Sequence, residues 1–292
     1  MRKLGILTLS IASVIVIGCG GGGSTDFTNS SNIVKGELLK INDQNQDEVI
    51  STALSIYKID DSLDSINNFR LTNDANEKLY ANRALELALL NRKESRECNS
   101  GKVVVDDNGN GINKDIDIKF ENCKLDYGTI NGTIHYNSAE DEKNFDANIY
   151  DLKVVLGGKE VYYESGYLKV KDSNIFEELT GYAKDGNKSV TFKDVKISVN
   201  RGTFKNSFEI NGSLSSSCID NKWVDITTVE KLEQNSTLDC PHAGIVEVKG
   251  DSTTLKAKYN RDESIDIYLD GNLTKSYSSC VEMKEDVDEK CN

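Results

Sequence analysis

The chain changes its texture twice along its length. Leu4 to Ile17 carries no charge and follows Arg2-Lys3. That is the positive start and apolar run of a secretory signal, shorter than the ~20 apolar residues a bilayer-spanning helix needs. Residues 47–58, DEVISTALSIYK, put Val49, Ile50, Ala53, Leu54 and Tyr57 on one helical face. Residues 74–93 predict a second helix: Asp74 and Glu77 have capping-box spacing, and Ala81, Leu85, Ala88 and Leu89 form a stripe. From Lys102 onward the period falls to two, as in Ile116-Asp117-Ile118-Lys119-Phe120 and Ser264-Ile265-Asp266-Ile267-Tyr268-Leu269. Turn signals such as Asn110-Gly111, Asp185-Gly186-Asn187 and Asn260-Arg261-Asp262 separate these runs. The pattern predicts roughly ten to twelve antiparallel strands.

A faint repeat runs through the strand region. Ile149-Tyr-Asp-Leu-Lys-Val-Val-Leu156 matches Phe192-Lys-Asp-Val-Lys-Ile-Ser-Val199, 43 residues on. Glycine steps recur at Asn131-Gly-Thr-Ile134, Glu164-Ser-Gly-Tyr-Leu168, Leu179-Thr-Gly-Tyr182, Ile210-Asn-Gly-Ser-Leu214 and Leu269-Asp-Gly-Asn-Leu273. Glycine within a strand pattern marks a bulge or bend, and repeated bends curl a sheet. The expected fold is mainly β: a long curved antiparallel meander, an open half-barrel or a closed barrel, with two N-terminal α-helices packed on it. Transmembrane barrel strands present an apolar outer band. The outward positions here are Lys, Asp and Asn, which argues against membrane insertion.

The apolar run ends Val16-Ile17-Gly18-Cys19, followed by Gly20 to Gly23. This motif resembles the lipobox of bacterial lipoproteins. The resemblance implies diacylglycerol transfer to the Cys19 thiol, cleavage after Gly18 and acylation, typically with palmitate, of the new amino terminus. More than one acyl chain gives stable anchoring where a single chain binds marginally. Gly20 is not Asp, which by the enterobacterial sorting rule implies the outer membrane. The expected organisation is a signal peptide over 1–18, a lipidated flexible tether over 19–34, a helical segment over 35–95 and an antiparallel β domain over 96–292. The body also resembles uncharacterised exported β-rich bacterial lipoproteins, through Phe120-Glu-Asn-Cys123 after an Asp/Asn/Gly-rich turn and the Gly-containing strands beyond it. That likeness implies no activity.

Charge narrows the partners. The sequence carries a formal net charge of −13, or −15 once Arg2 and Lys3 leave with the signal. An acidic body argues against nucleic acid as a partner. The expected attachment is to a membrane through Cys19, with a protein or apolar ligand as the other candidate partner.

Six cysteines remain after Cys19: Cys98, Cys123, Cys218, Cys240, Cys280 and Cys291. An even number in an exported chain reads as disulfides. Cys98 and Cys123 stand equally far from the midpoint of Asn110-Gly111, which places them opposite each other in a hairpin. Cys218–Cys240 and Cys280–Cys291 are paired only by nearness in sequence. There is no C-x-x-C and there are only two histidines, so a structural zinc site is not expected.

The stretch DDNGNGINKDID places Asp106, Asn108, Asn110, Gly111 and Asp117 at positions 1, 3, 5, 6 and 12 of a calcium-loop template, with the Ile112 carbonyl as a further ligand. The closing residue is Asp rather than Glu, and the flanks read as strands. The same stretch also reads as a plain Asn-Gly hairpin turn. Ca2+ is therefore the one candidate cofactor.

No catalytic constellation emerges. A hydrolase triad needs a histidine base, and His135 and His242 sit near no G-x-S-x-G elbow. Tyr162, Tyr163 and Trp223 are candidates to line a sugar or lipid site. The expectation is a non-enzymatic outer-membrane-anchored lipoprotein acting as an envelope interaction or structural module. The alternatives are a carrier holding a lipid or other apolar ligand in the concave sheet, and an enzyme of unrecognised type.

Overall fold

The computed structural model describes residues 33–53 and 98–290, apart from breaks at 110–113, 126–127, 139–143, 157, 173, 203–204 and 236–240. The expected second helix, over 74–93, lies outside the described residues. Thirteen strands form one sheet in chain order, each antiparallel to the next. The first eight are β1 (Ser100–Asp107), β2 (Lys114–Leu125), β3 (Gly128–Ser138), β4 (Phe145–Leu156), β5 (Lys159–Lys171), β6 (Asn174–Asp185), β7 (Lys188–Arg201) and β8 (Lys205–Ser216). A 3-10 turn at Ser217–Ile219 leads to β9 (Trp223–Asn235), β10 (Ala243–Lys249), β11 (Thr254–Tyr259), β12 (Ile265–Leu269) and β13 (Asn272–Tyr277). The expected meander is present, and it is open: β1 and β13 are its two edges.

Two helical pieces flank the sheet. Residues 46–53, here α1, are helical up to the point where the description breaks off. The expected pair of N-terminal helices is not supported. A helix that the alternating pattern did not suggest, α2 (Cys280–Lys290), follows β13. Ser279 Oγ accepts from the Glu282 amide at 3.2 Å and Glu282 Oε2 accepts from the Ser278 amide at 2.7 Å, an N-terminal capping arrangement.

The core is built by alternation, interrupted at fixed places. Ile116, Ile118 and Phe120 of β2 are at most 4% exposed, and Ile134 and Tyr136 of β3 continue that face. In a regular strand, residues three apart point to opposite faces. Yet Phe120 and Cys123, Ile149 and Leu152, and Phe192 and Val195 are all buried. In each case the residue between them, Asn122, Asp151 or Asp194, has a φ near +50°. One left-handed residue resets the alternation, so that both apolar residues reach the core. Asn and Asp accept that conformation far better than β-branched residues do. The 43-residue repeat is the same device used twice, at Asp151 and Asp194.

The glycine steps are the other half of this device. Gly132 has φ +121°, and a Cβ on it would stand 2.4 Å from the Asp151 carbonyl oxygen of the neighbouring strand. The residues before the glycines satisfy bulged amides: Asn131 Oδ1 accepts from the Asn122 amide at 2.6 Å, and Thr180 Oγ1 from the Asp194 amide at 3.0 Å. The register shifts where these residues meet, between Phe120 and Cys123, Asn131 and Thr133, Leu179 and Gly181, and Lys193 and Lys196. Bulges of this kind raise the local twist and bend the strand.

Candidate functional site

The predicted ion loop is a hairpin whose arms pair residue for residue. Asp106 faces Asp117 and Val103 faces Phe120, so the pairing axis falls between residues 111 and 112, one place beyond the Asn-Gly midpoint. The register of the two arms shifts between Ser100 and Lys102, beside Gly101 and the left-handed Asn122. Cys98 and Cys123 form the expected disulfide, with a Cα separation of 5.1 Å, within the range such a bond needs. Cys218 and Cys280 are each in a disulfide, and their expected partners Cys240 and Cys291 lie outside the described residues.

Of the candidate calcium ligands, Asp106 and Asp117 are brought face to face, and Asn108 Nδ2 lies 3.5 Å from Asp117 Oδ2. Asn110 and Ile112 lie outside the described residues. Asp117 has a further partner that the sequence reading left out. His135 stands opposite it on β3, with Nδ1 at 2.8 Å from Asp117 Oδ1, and its Nε2 is 3.1 Å from Asn137 Nδ2 and 3.6 Å from Asp115 Oδ1. The alternation of β2 and β3 puts His135 on one outer row with Asp106 and Asp117. Among the described residues no group of three or more His, Cys, Asp or Glu has the geometry to hold a metal ion.

A second site was not anticipated at all. Residues 33–41, expected to hold the end of a tether and the start of a helical segment, form an extended strap on the sheet. The Ile33 amide donates to Glu164 Oε2 of β5 at 2.7 Å, and Lys193 Nζ of β7 donates to the Ile33 carbonyl at 2.7 Å. Lys35 Nζ bonds Asp225 of β9 at 2.5 and 2.7 Å, and Ser213 Oγ of β8 donates to the same carboxylate. Farther along, Leu39 N donates to the Trp223 carbonyl at 2.8 Å and Ile41 N to Thr253 Oγ1 at 2.8 Å. The physical cause is a period of two: Leu39 and Ile41 alternate into the core. That short alternation was the available signal, and it lay next to the stronger helical one.

The candidate aromatic residues separate. Tyr163 is 2% exposed and packs on Phe192 in the core, with ring centroids 6.0 Å apart. Trp223 is buried beneath the strap, against Gly36. Tyr162 lies on the outer face outside the strap, where its ring pairs with Tyr182 at 5.3 Å. Tyr162 donates to Asp151 Oδ1 at 2.9 Å and Tyr182 donates to Glu160. Burial, then the bond to Asp151, push the Tyr162 hydroxyl up to about 12. Burial works against ionised Glu160, but the hydrogen bonds from Lys153 and Tyr182 outweigh it and hold the carboxyl below its ordinary range.

The two described histidines stand far apart in the sheet, His135 on β3 and His242 just before β10. A surface concavity of about 570 Å³ lies on β10–β12 and includes Glu247, Lys256, Lys258 and Tyr268. No protein-family model matches the chain, and no curated protein and no solved structure is similar to it.

Proposed function

We propose that the chain is a bacterial lipoprotein held at the outer membrane by acylated Cys19, and that its curved β body serves as a non-enzymatic interaction or structural module of the envelope. The anchoring part rests on Val16-Ile17-Gly18-Cys19 after an uncharged run. The module part rests on one observation: the inner positions of the sheet are occupied by side chains. Ile118 on β2, Leu179 on β6, Ile210 and Leu214 on β8, Leu232 on β9 and Ile267 on β12 are at most 2% exposed and belong to one continuous core. A carrier needs a pocket of roughly 300–1,000 Å³ for its cargo, and these positions fill the space with the protein's own residues. A packed interior leaves the outer face and the two sheet edges for contact with partners.

Two measurements on protein expressed in a Gram-negative host test this reading. Wild type should fractionate with the outer membrane and carry acyl chains on Cys19, and Cys19→Ser should lose both. An acylated, correctly fractionated Cys19→Ser protein overturns the anchoring. Organic extraction of the purified soluble body (residues 20–292) should release no apolar molecule in stoichiometric amount. A one-to-one lipid in that extract would instead establish the carrier.

A further inference from the structure

The strap fixes Ile33 on the sheet. Ile33 is held between β5 and β7, on the face opposite the core. Alternation turns Lys35 down onto Asp225 and turns Val34 away from the sheet, where it is 75% exposed. Next to Glu164, Ser165 pairs with Tyr150 of β4, an outward residue 50% exposed. The Tyr162–Tyr182 pair continues this face across β5 and β6.

We propose that this outer face of β4–β6, with Val34, Tyr150, Tyr162 and Tyr182, docks on the zwitterionic headgroup surface of the membrane that holds the chain. The proposal rests on the anchoring at Cys19. Ile33 stands 14 residues after Cys19. Whatever its conformation, such a segment reaches no farther than about 50 Å, so it holds Ile33 and the face around it within that distance of the lipid. Tyrosine suits that position because its ring tolerates the acyl boundary while its hydroxyl stays hydrogen-bonded. Here the hydroxyls of Tyr162 and Tyr182 are already satisfied by Asp151 and Glu160. The charges are also partly offset on this face: Lys153 neutralises Glu160 at 2.9 Å, and Lys184 stands exposed beside them.

The test uses the mature lipidated chain in phosphatidylethanolamine-rich vesicles carrying lipids brominated near the headgroup. Val34→Trp and Tyr150→Trp report on the proposed face, and Leu273→Trp, on an exposed position of β13, is the control. Trp223 is common to all variants, so its signal is subtracted using wild type. Stronger quenching at positions 34 and 150 than at 273 supports docking. Vesicle flotation with equal quenching at all three positions, or stronger quenching at 273, overturns the docking and leaves the anchoring intact. Failure of wild type to float removes the anchoring, and the docking with it.

Discussion

The carbonyl of Asp151 points into the space left by the missing side chain of Gly132 on the adjacent strand; a Cβ there would stand 2.4 Å from that oxygen and 2.5 Å from the Leu152 Cα. Neither neighbour is a flexible tip that could move aside. Gly132→Ala should therefore destabilise the body by about 2 kcal/mol or more, combining left-handed strain with backbone displacement. Gly158→Ala is the matched control. Its φ is +85° with nothing within 4 Å, so only the conformational cost of about 1–2 kcal/mol remains. Urea melts of the two variants compare them directly, and equal losses would show that the close approach contributes nothing.

Lys275 ties both ends of the described chain together. Its Nζ lies 2.7 Å from Asp47 at the start of α1 and 3.1 Å from Asp286 in α2. Burial disfavours the charged amine, but the bonds to Asp47 and Asp286 outweigh it and raise its pKa above the ordinary lysine range. A raised lysine contributes fully below its unfolded pKa and loses that contribution only as pH climbs through the folded value. Lys275→Met should cost about 1–2 kcal/mol at pH 7, after allowance for the clamp's partial exposure. Its deficit against wild type should shrink only in strongly alkaline buffer. A deficit that vanishes at pH 8 would contradict the clamp.

Glu160 gives the opposite sign. Its carboxyl is held below the ordinary value of 4.5, so its contribution is present above that pH and is lost as pH falls through the folded value. Glu160→Gln should lower stability at pH 7, and the two proteins should converge below the folded pKa. Thermal melts between pH 7 and pH 2 measure the gap, and a constant gap would show that ionisation of Glu160 is irrelevant.

Asp106 and Asp117 oppose each other with like charges, an arrangement that costs up to about 1 kcal/mol in a strand pair. Asp106→Asn should raise the melting temperature in calcium-free buffer. If the hairpin is an ion loop, wild type gains stability with millimolar calcium, the affinity range of extracellular modules, and the variant does not. Identical responses of the two proteins to calcium would make the loop a plain turn.

Some of this architecture was legible because it rests on local rules. Alternation between turn residues identifies the meander, and hairpin symmetry selects Cys98 and Cys123 even though the pairing axis lies one residue away. Of the glycine steps read as bends, the four at Gly132, Gly166, Gly181 and Gly212 lie within strands, whereas Gly271 is in the β12–β13 turn. The Asx partners of those bends were harder to see, because Asn122, Asp151 and Asp194 look like ordinary outward polar residues in an acidic chain. Their role depends on what the neighbouring strand places opposite them. The link from Asp117 to His135 is likewise a matter of register, and register is a property of two strands. The strap escaped notice because its anchors on Glu164, Lys193 and Asp225 lie 131 to 190 residues away in sequence.

Consider a pull applied to the chain at Ile33. The force enters at Ile33 and passes to β5, β7 and β9 through side chains, then to the β10–β11 turn through Thr253. It runs across the strands, so several pairings resist it together and none is opened like a zipper from its end. The strand that comes first in the sequence of the sheet, β1, lies outside this path. A pull at Ile33 is therefore borne by β5, β7 and β9, and the β1–β2 hairpin lies outside that path.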